Sequence, residues 1–127
     1  MMRLVCALVC LLPFSAHAAV ECVVVLHGIA RSSAHMQPLA DDLQQHGYRV
    51  LNVDYPSTEH PLEILLPELE ERLADSLQQC GAVHYVGYSM GGAISTAFTG
   101  THPDRVNRLI LLAPAGLTLA LGRFSDF

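Results

Sequence analysis

Positive charge is scarce in this chain. Seven Lys and Arg residues stand against twelve Asp and Glu in 127 residues, a formal net charge of -5. No basic patch is available to neutralise phosphates, which excludes a nucleic-acid partner. Long hydrophobic runs are missing too. The longest, Leu4 to Phe14, is broken by Pro13 and falls short of the roughly 20 apolar residues a membrane-spanning helix needs. Internal repeats and low-complexity stretches are absent, which excludes solenoids and linker-like chains. The acidic run Glu68, Glu70 and Glu71 has no histidine converging on it in sequence. It reads as a solvated helix face, and no metal is expected.

What is present begins with a leader. Met1-Met2-Arg3 is a short basic start, Leu4 to Phe14 an apolar core, and Ala16-His17-Ala18 a small-residue cleavage pattern. Together they read as a secretory signal over 1–18, with the mature chain starting at Ala19 and exported to the periplasm or beyond. Glu21 before Cys22 argues against a lipoprotein signal. Loss of 1–18, whose only charged side chain is Arg3, takes the formal net charge from -5 to -6. What is left is one domain at most.

The most informative stretch is Gly87-Tyr88-Ser89-Met90-Gly91. A serine with glycines two residues to either side can sit on a turn too tight for bulkier neighbours and present its hydroxyl as a nucleophile. Such a match arises by chance in roughly a few per cent of chains this long, so context decides. Ala82 to Val86 reads as a short buried strand, and Met90 to Phe98 as a helix whose first turn is built of small residues. Strand, sharp turn and helix are the setting a nucleophile elbow requires. Upstream, Val23-Val24-Val25-Leu26 is an apolar strand ending in His27-Gly28-Ile29-Ala30 and opening into Arg31-Ser32-Ser33.

With these two motifs in this order, the chain resembles the α/β-hydrolase superfamily over about residues 21 to 116. Within it, the resemblance is to secreted bacterial lipases and esterases that pair a Leu-His-Gly loop with a Gly-x-Ser-Met-Gly-Gly elbow. The resemblance implies Ser89 as nucleophile and the backbone N–H groups of Ile29 and Met90 as the oxyanion hole. Gly28, Gly87 and Gly91 would support the turns. His27 is expected to be a hydrogen-bonded structural imidazole and not a base.

The chain also departs from that pattern. In the family the acid and the histidine follow the serine on later loops. After Ser89 the only histidine is His102, leaving the elbow helix about 16 Å from its start at 1.5 Å per residue. A general base must lie within hydrogen-bond reach, so His102 reads as a surface loop residue. Asp126 is the only acid beyond Leu109-Ile110-Leu111-Leu112, and no histidine follows it. The expectation is the N-terminal half of a hydrolase: 1–18 leader, 19–127 a truncated domain with its core at 21–116, inactive by itself.

The remaining elements fit an α/β fold with four parallel strands and flanking helices. Met36, Leu39, Ala40 and Leu43 predict an amphipathic helix over 35–46, with Gly47 as its C-cap. Tyr48 to Val53 predicts a strand ending at Asp54-Tyr55-Pro56, with Asp54 bracing a loop. Leu62, Leu65, Leu66, Leu69, Leu73 and Leu77 share one helix face; Pro67 is expected to kink or divide that helix. The family analogy orders the strands second, first, third, fourth, and leaves the fourth, near 107–113, as an apolar edge. It also places Cys22 and Cys80 at one edge of adjacent strands, close enough for a disulfide; two buried free thiols are the alternative.

The expected activity is hydrolysis of carboxylic esters, with lipid acyl chains as substrate and transient contact with a membrane surface. No cofactor is implied. Oligomeric state has no signature in the sequence. Two alternatives remain open: a non-catalytic binding module on the same fold, and an acyltransferase, thioesterase or peptidase using the same nucleophile.

Overall fold

The protein is described from a computed structural model over residues 19–115. The segment 1–18 expected to be a leader and Asp126 lie outside the described residues.

Among the described residues, four strands alternate with three helices. Strand β1 spans Glu21–Leu26, helix α1 Gln37–Gln45, β2 Arg49–Val53, α2 Leu62–Gln78, β3 Ala82–Tyr88, α3 Met90–Thr101 and β4 Arg108–Leu112. Short 3-10 turns at Ser33–Met36 and Pro103–Arg105 lead into α1 and β4. All pairings are parallel, in the order β2-β1-β3-β4, as the family analogy implies. Connections of this length between parallel strands carry helices because the chain must return to the same sheet end.

The apolar run of β1 is explained by its position. Cys22 to Leu26 are all buried, because β1 is interior and covered on both faces. Val24 and Leu26 pack with Leu65, Leu69 and Leu73 of α2 and Ile94 and Phe98 of α3. Val23 and Val25 face the other way, with Met36 and Val86, against Leu39 and Leu43 of α1. The leucine stripe of α2 is therefore core, as its spacing predicts.

Helix α1 starts two residues later than expected, because Ser33–Met36 winds as a 3-10 turn. Gly47 closes α1 at φ 90, and its N–H donates to the Gln44 carbonyl at 3.0 Å; this backbone conformation is one that glycine adopts without steric cost. Pro67 does not divide α2, which runs 17 residues through it. It stands in the second turn, and the missing N–H leaves only the carbonyl of Glu63, an exposed residue, to be satisfied by solvent.

A disulfide joins Cys22 to Cys80, with Cα atoms 5.7 Å apart. It ties the foot of β1 to the segment entering β3. At the other side of the sheet, β4 has no further strand beside it among the described residues. Ile110 and Leu112 there are 47% and 40% exposed, so the expected apolar edge is present. Among the described residues, no helix is long and apolar enough to cross a membrane.

Candidate active site

Ser89 occupies the step between β3 and α3. Its φ is 53 and its ψ -117, a conformation that L-residues resist. The glycines of the motif explain how the turn closes. A Cβ on Gly87 would run into the Gly91 carbonyl, and one on Gly91 into the carbonyls of Leu26 and His27. Helix α3 thus starts pressed against the ends of β1 and β3, and only hydrogen fits at these two positions. The loop after β4 clamps the elbow from the other side: Ser89 donates its N–H to the Leu112 carbonyl at 3.0 Å and accepts the Ala115 N–H at 2.9 Å.

The loop after β1 meets this elbow. A Cβ placed on Gly28 would lie 3.1 Å from the Ser89 Cβ and 3.0 Å from the Tyr88 ring, so Gly28 permits the close approach. Ile29 follows with its side chain 56% exposed. Met90 is the first residue of α3, where a backbone N–H lacks an intrahelical acceptor. Among the described residues neither the Ile29 nor the Met90 N–H donates to a backbone or side-chain acceptor. A cavity of about 250 Å³ adjoins Gly28 and Tyr88, lined also by Arg31, His35 and Met36.

His27 is fully buried. Its Nδ1–H donates to the Gly28 carbonyl at 2.8 Å, and its Nε2 accepts the Tyr55 N–H at 3.3 Å. The ring stacks on Tyr55 with centroids 4.1 Å apart, and the Tyr55 hydroxyl donates to the His27 carbonyl. Burial pushes the Tyr55 hydroxyl well above its ordinary pKa, so it stays a donor. Both ring nitrogens of this buried imidazole thus have hydrogen-bond partners within the fold. Asp54 braces loops: its carboxylate accepts the Ser33 N–H at 2.9 Å and lies 3.3 Å from His27 Nε2.

His102 caps α3 at the end away from Ser89, out of hydrogen-bond reach of its hydroxyl. One expectation is corrected here. A histidine does converge on the acidic run of α2, because His102 Nε2 lies 2.9 Å from Glu70 Oε1. The two residues are 32 apart in sequence and meet only because α2 and α3 pack on the same sheet face. Among the described residues no group of three or more His, Cys, Asp or Glu could hold an ion.

Sequence reasoning missed three polar side chains that hold the loops at the end of β2, namely Asn52, Ser57 and Arg72. Asn52 donates to the Ser33 carbonyl at 2.9 Å, and Arg72 donates to the Asp54 carbonyl at 3.0 Å. Ser57 accepts the Ala30 N–H at 3.1 Å. The only signal, and for Ser57 alone, was that a polar segment follows a strand at the edge where ligands of open α/β sheets bind.

Comparison with known proteins agrees with this arrangement. A model of the alpha/beta hydrolase family matches residues 23–127. The chain belongs to that family. A pimeloyl-[acyl-carrier protein] methyl ester esterase of Aliivibrio fischeri is 34% identical over 92 residues, covering 72% of this chain and 35% of that protein. A 2-hydroxy-6-oxononadienedioate/2-hydroxy-6-oxononatrienedioate hydrolase of Escherichia coli is 34% identical over 102 residues, with the same coverages of 72% and 35%. Among solved structures, a marine microorganism esterase superposes with a TM-score of 0.63 at 28% identity, over 74% of this chain and 38% of that one. A pyrethroid hydrolase from Sphingobium faniae gives 0.61 at 28%, over 75% and 40%. The chain therefore spans about a third of the length of the curated relatives it matches.

Proposed function

We propose that this chain carries the nucleophile half of a serine hydrolase acting on carboxylic esters, with Ser89 as the attacking residue. The observation that carries the reading is the strained φ of 53 at Ser89, held between two glycines that tolerate no Cβ. Backbone strain of this kind persists only where surrounding structure over-determines it, and it clusters at active sites. In the reaction, the Ser89 hydroxyl attacks the ester carbonyl and an acyl-enzyme forms with loss of the alcohol. The Ile29 and Met90 N–H groups donate to the oxygen that becomes negative, a contribution of about 3 to 4 kcal/mol for one such donor. The proton of the hydroxyl requires a base. No histidine among the described residues hydrogen-bonds Ser89, and the reading assigns that role to the part of the hydrolase fold that the longer relatives possess.

The esterase relatives support an ester substrate, and the apolar residues Met36 and Tyr88 beside the elbow support a lipid acyl chain. The leader pattern at 1–18 and the Cys22–Cys80 bridge support export, since such bridges persist in oxidising compartments. A fluorophosphonate probe applied with added imidazole, which stands in for the base of the attack, tests the nucleophile, because labelling needs one attack and not a full catalytic cycle. Labelling at Ser89 that is lost in Ser89→Ala is the expected result. Absence of Ser89-dependent labelling in the folded chain would favour a non-catalytic binding module.

A further inference from the structure

The cavity that adjoins the elbow carries a charge that attack on a neutral ester does not use. Its lining holds Arg31 and His35 beside Gly28, Met36 and Tyr88, and no carboxylate. Arg31 is kept there by its own backbone, whose N–H donates to the Gly28 carbonyl at 3.2 Å. Among the described residues its guanidinium enters no ion pair. Asp54, the acid that braces this loop, is engaged instead by the Ser33 N–H at 2.9 Å and lies 3.3 Å from His27 Nε2. His35 adds a second donor. Its Nδ1 accepts the Ser32 N–H at 3.2 Å, so the neutral ring carries its proton on Nε2.

We propose that this cavity is an anion subsite and that the ester substrate carries a carboxylate or phosphate bound by Arg31, a role that rests on the reading of Ser89 as the attacking residue. A guanidinium stays charged at every pH of interest and offers paired N–H groups that match two oxygens of such an anion. A neutral ester leaves them without a partner in the cavity. The net charge of -5 gives the molecule as a whole no attraction for anions, so the preference must come from these local donors. Size limits the ligand further: about 250 Å³ is below the roughly 300 Å³ at which pockets for drug-sized ligands begin. Gly28 and Tyr88 line the cavity, and a Cβ on Gly28 would lie 3.1 Å from that of Ser89. Acid and ester carbonyl therefore belong to one short molecule, whose methylenes meet Met36 and Tyr88.

The test is equilibrium binding to the 127-residue chain, followed by amide chemical shifts in NMR titrations, which needs neither a base nor turnover. Monomethyl glutarate is compared with dimethyl glutarate, and monoacetylglycerol 3-phosphate with monoacetylglycerol. The anionic member of at least one pair should bind about tenfold tighter than its neutral partner, with shifts at Gly28, Met36 and Tyr88. The pair with the larger ratio names carboxylate or phosphate as the source. Arg31→Gln should abolish the preference and leave binding of the neutral member within about twofold of wild type, whereas Arg31→Lys, which keeps the charge without the fork, should retain about threefold. Arg31 is exposed, and an amide spectrum unchanged away from the cavity confirms that each variant is folded. Equal binding of neutral and anionic members, a preference that survives Arg31→Gln, or shifts confined to another face overturns the proposal. Failure of Ser89 to label in the presence of imidazole overturns the nucleophile reading instead: an Arg31-dependent preference would then mark an anion-binding site, and the claim of an ester substrate would fall.

Discussion

Reducing the Cys22–Cys80 bridge should remove a large fraction of the stability of this domain. The two cysteines are 58 residues apart in sequence. In the chain-entropy model, opening a loop of that size frees the unfolded chain by about 14 cal/mol/K, or about 4 kcal/mol at 25 °C. Small domains have only about 5 to 15 kcal/mol in total. Comparing oxidised protein with dithiothreitol-reduced protein keeps the side chains the same, which matters because Cys22 is fully buried and any substitution would alter its packing. The assay is urea unfolding followed by far-UV circular dichroism at matched pH. With a slope of roughly 2 kcal/mol per molar urea, the midpoint should fall by about 2 M on reduction. Coincident midpoints would refute the reasoning, and so would thiol labelling at Cys22 and Cys80 in the native, non-reduced protein, whatever Cys6 and Cys10 contribute.

Other outcomes follow from the same geometry. The 127-residue chain should hydrolyse short-chain p-nitrophenyl esters no faster than its Ser89→Ala variant, because loss of the base alone costs near 10⁶ in kcat in a well-studied serine protease; turnover that vanishes on Ser89→Ala would reveal an unrecognised base. Gly91→Ala should destabilise the fold by roughly 1 to 3 kcal/mol through contact with the Leu26 and His27 carbonyls and abolish Ser89 labelling, read by thermal melting and probe fluorescence. Burial, reinforced by the Glu70 charge and opposed by Arg105, pushes the Tyr85 hydroxyl up to about 12. Its unfolded counterpart ionises near 10, so stability is complete below pH 10 and falls as pH rises toward 12, by up to about 1.4 kcal/mol per pH unit. Melting temperatures of Tyr85→Phe should fall less steeply over that range than those of wild type.

Much of this was legible in the sequence, for a physical reason that differs by element. The Val23–Leu26 run can be apolar on both faces only in an interior strand, and the structure places β1 between β2 and β3. The Gly87 and Gly91 positions announced a tight turn because no other side chain fits against the backbone there. Of the two outcomes Pro67 offered, a kink or a division, division is ruled out, since a proline in the second turn removes one hydrogen bond near a solvated helix end without interrupting the helix. The Glu70–His102 pair was invisible because it depends on how two helices pack, a property that neither segment encodes by itself. Ser57 was invisible for another reason. Tyr55-Pro56-Ser57-Thr58 has the composition of any exposed turn, and nothing local says that the serine is buried.

The positions of strain tie these observations together. Among the described residues, three non-glycine residues have positive φ: Ala30 at 54, Ser89 at 53 and Ala113 at 43. Each lies just beyond the carboxyl end of a strand, after β1, β3 and β4 respectively. All three loops are cross-linked at the same edge. Gly28 abuts Ser89, the Leu112 carbonyl accepts the Ser89 N–H at 3.0 Å, and the Ala115 N–H returns to the Ser89 carbonyl at 2.9 Å. A parallel sheet places every one of its carboxyl ends on a single side, so strain that is unfavourable residue by residue can be concentrated there and restrained jointly. The strands below need no such restraint, being set by apolar packing and the Cys22–Cys80 bridge at the opposite edge. Rigid foot and strained rim are thus one division of labour, in which burial of β1 holds the loops close enough for Ser57, Leu112 and Gly28 to keep the unfavourable backbone of Ala30 and Ser89 in place.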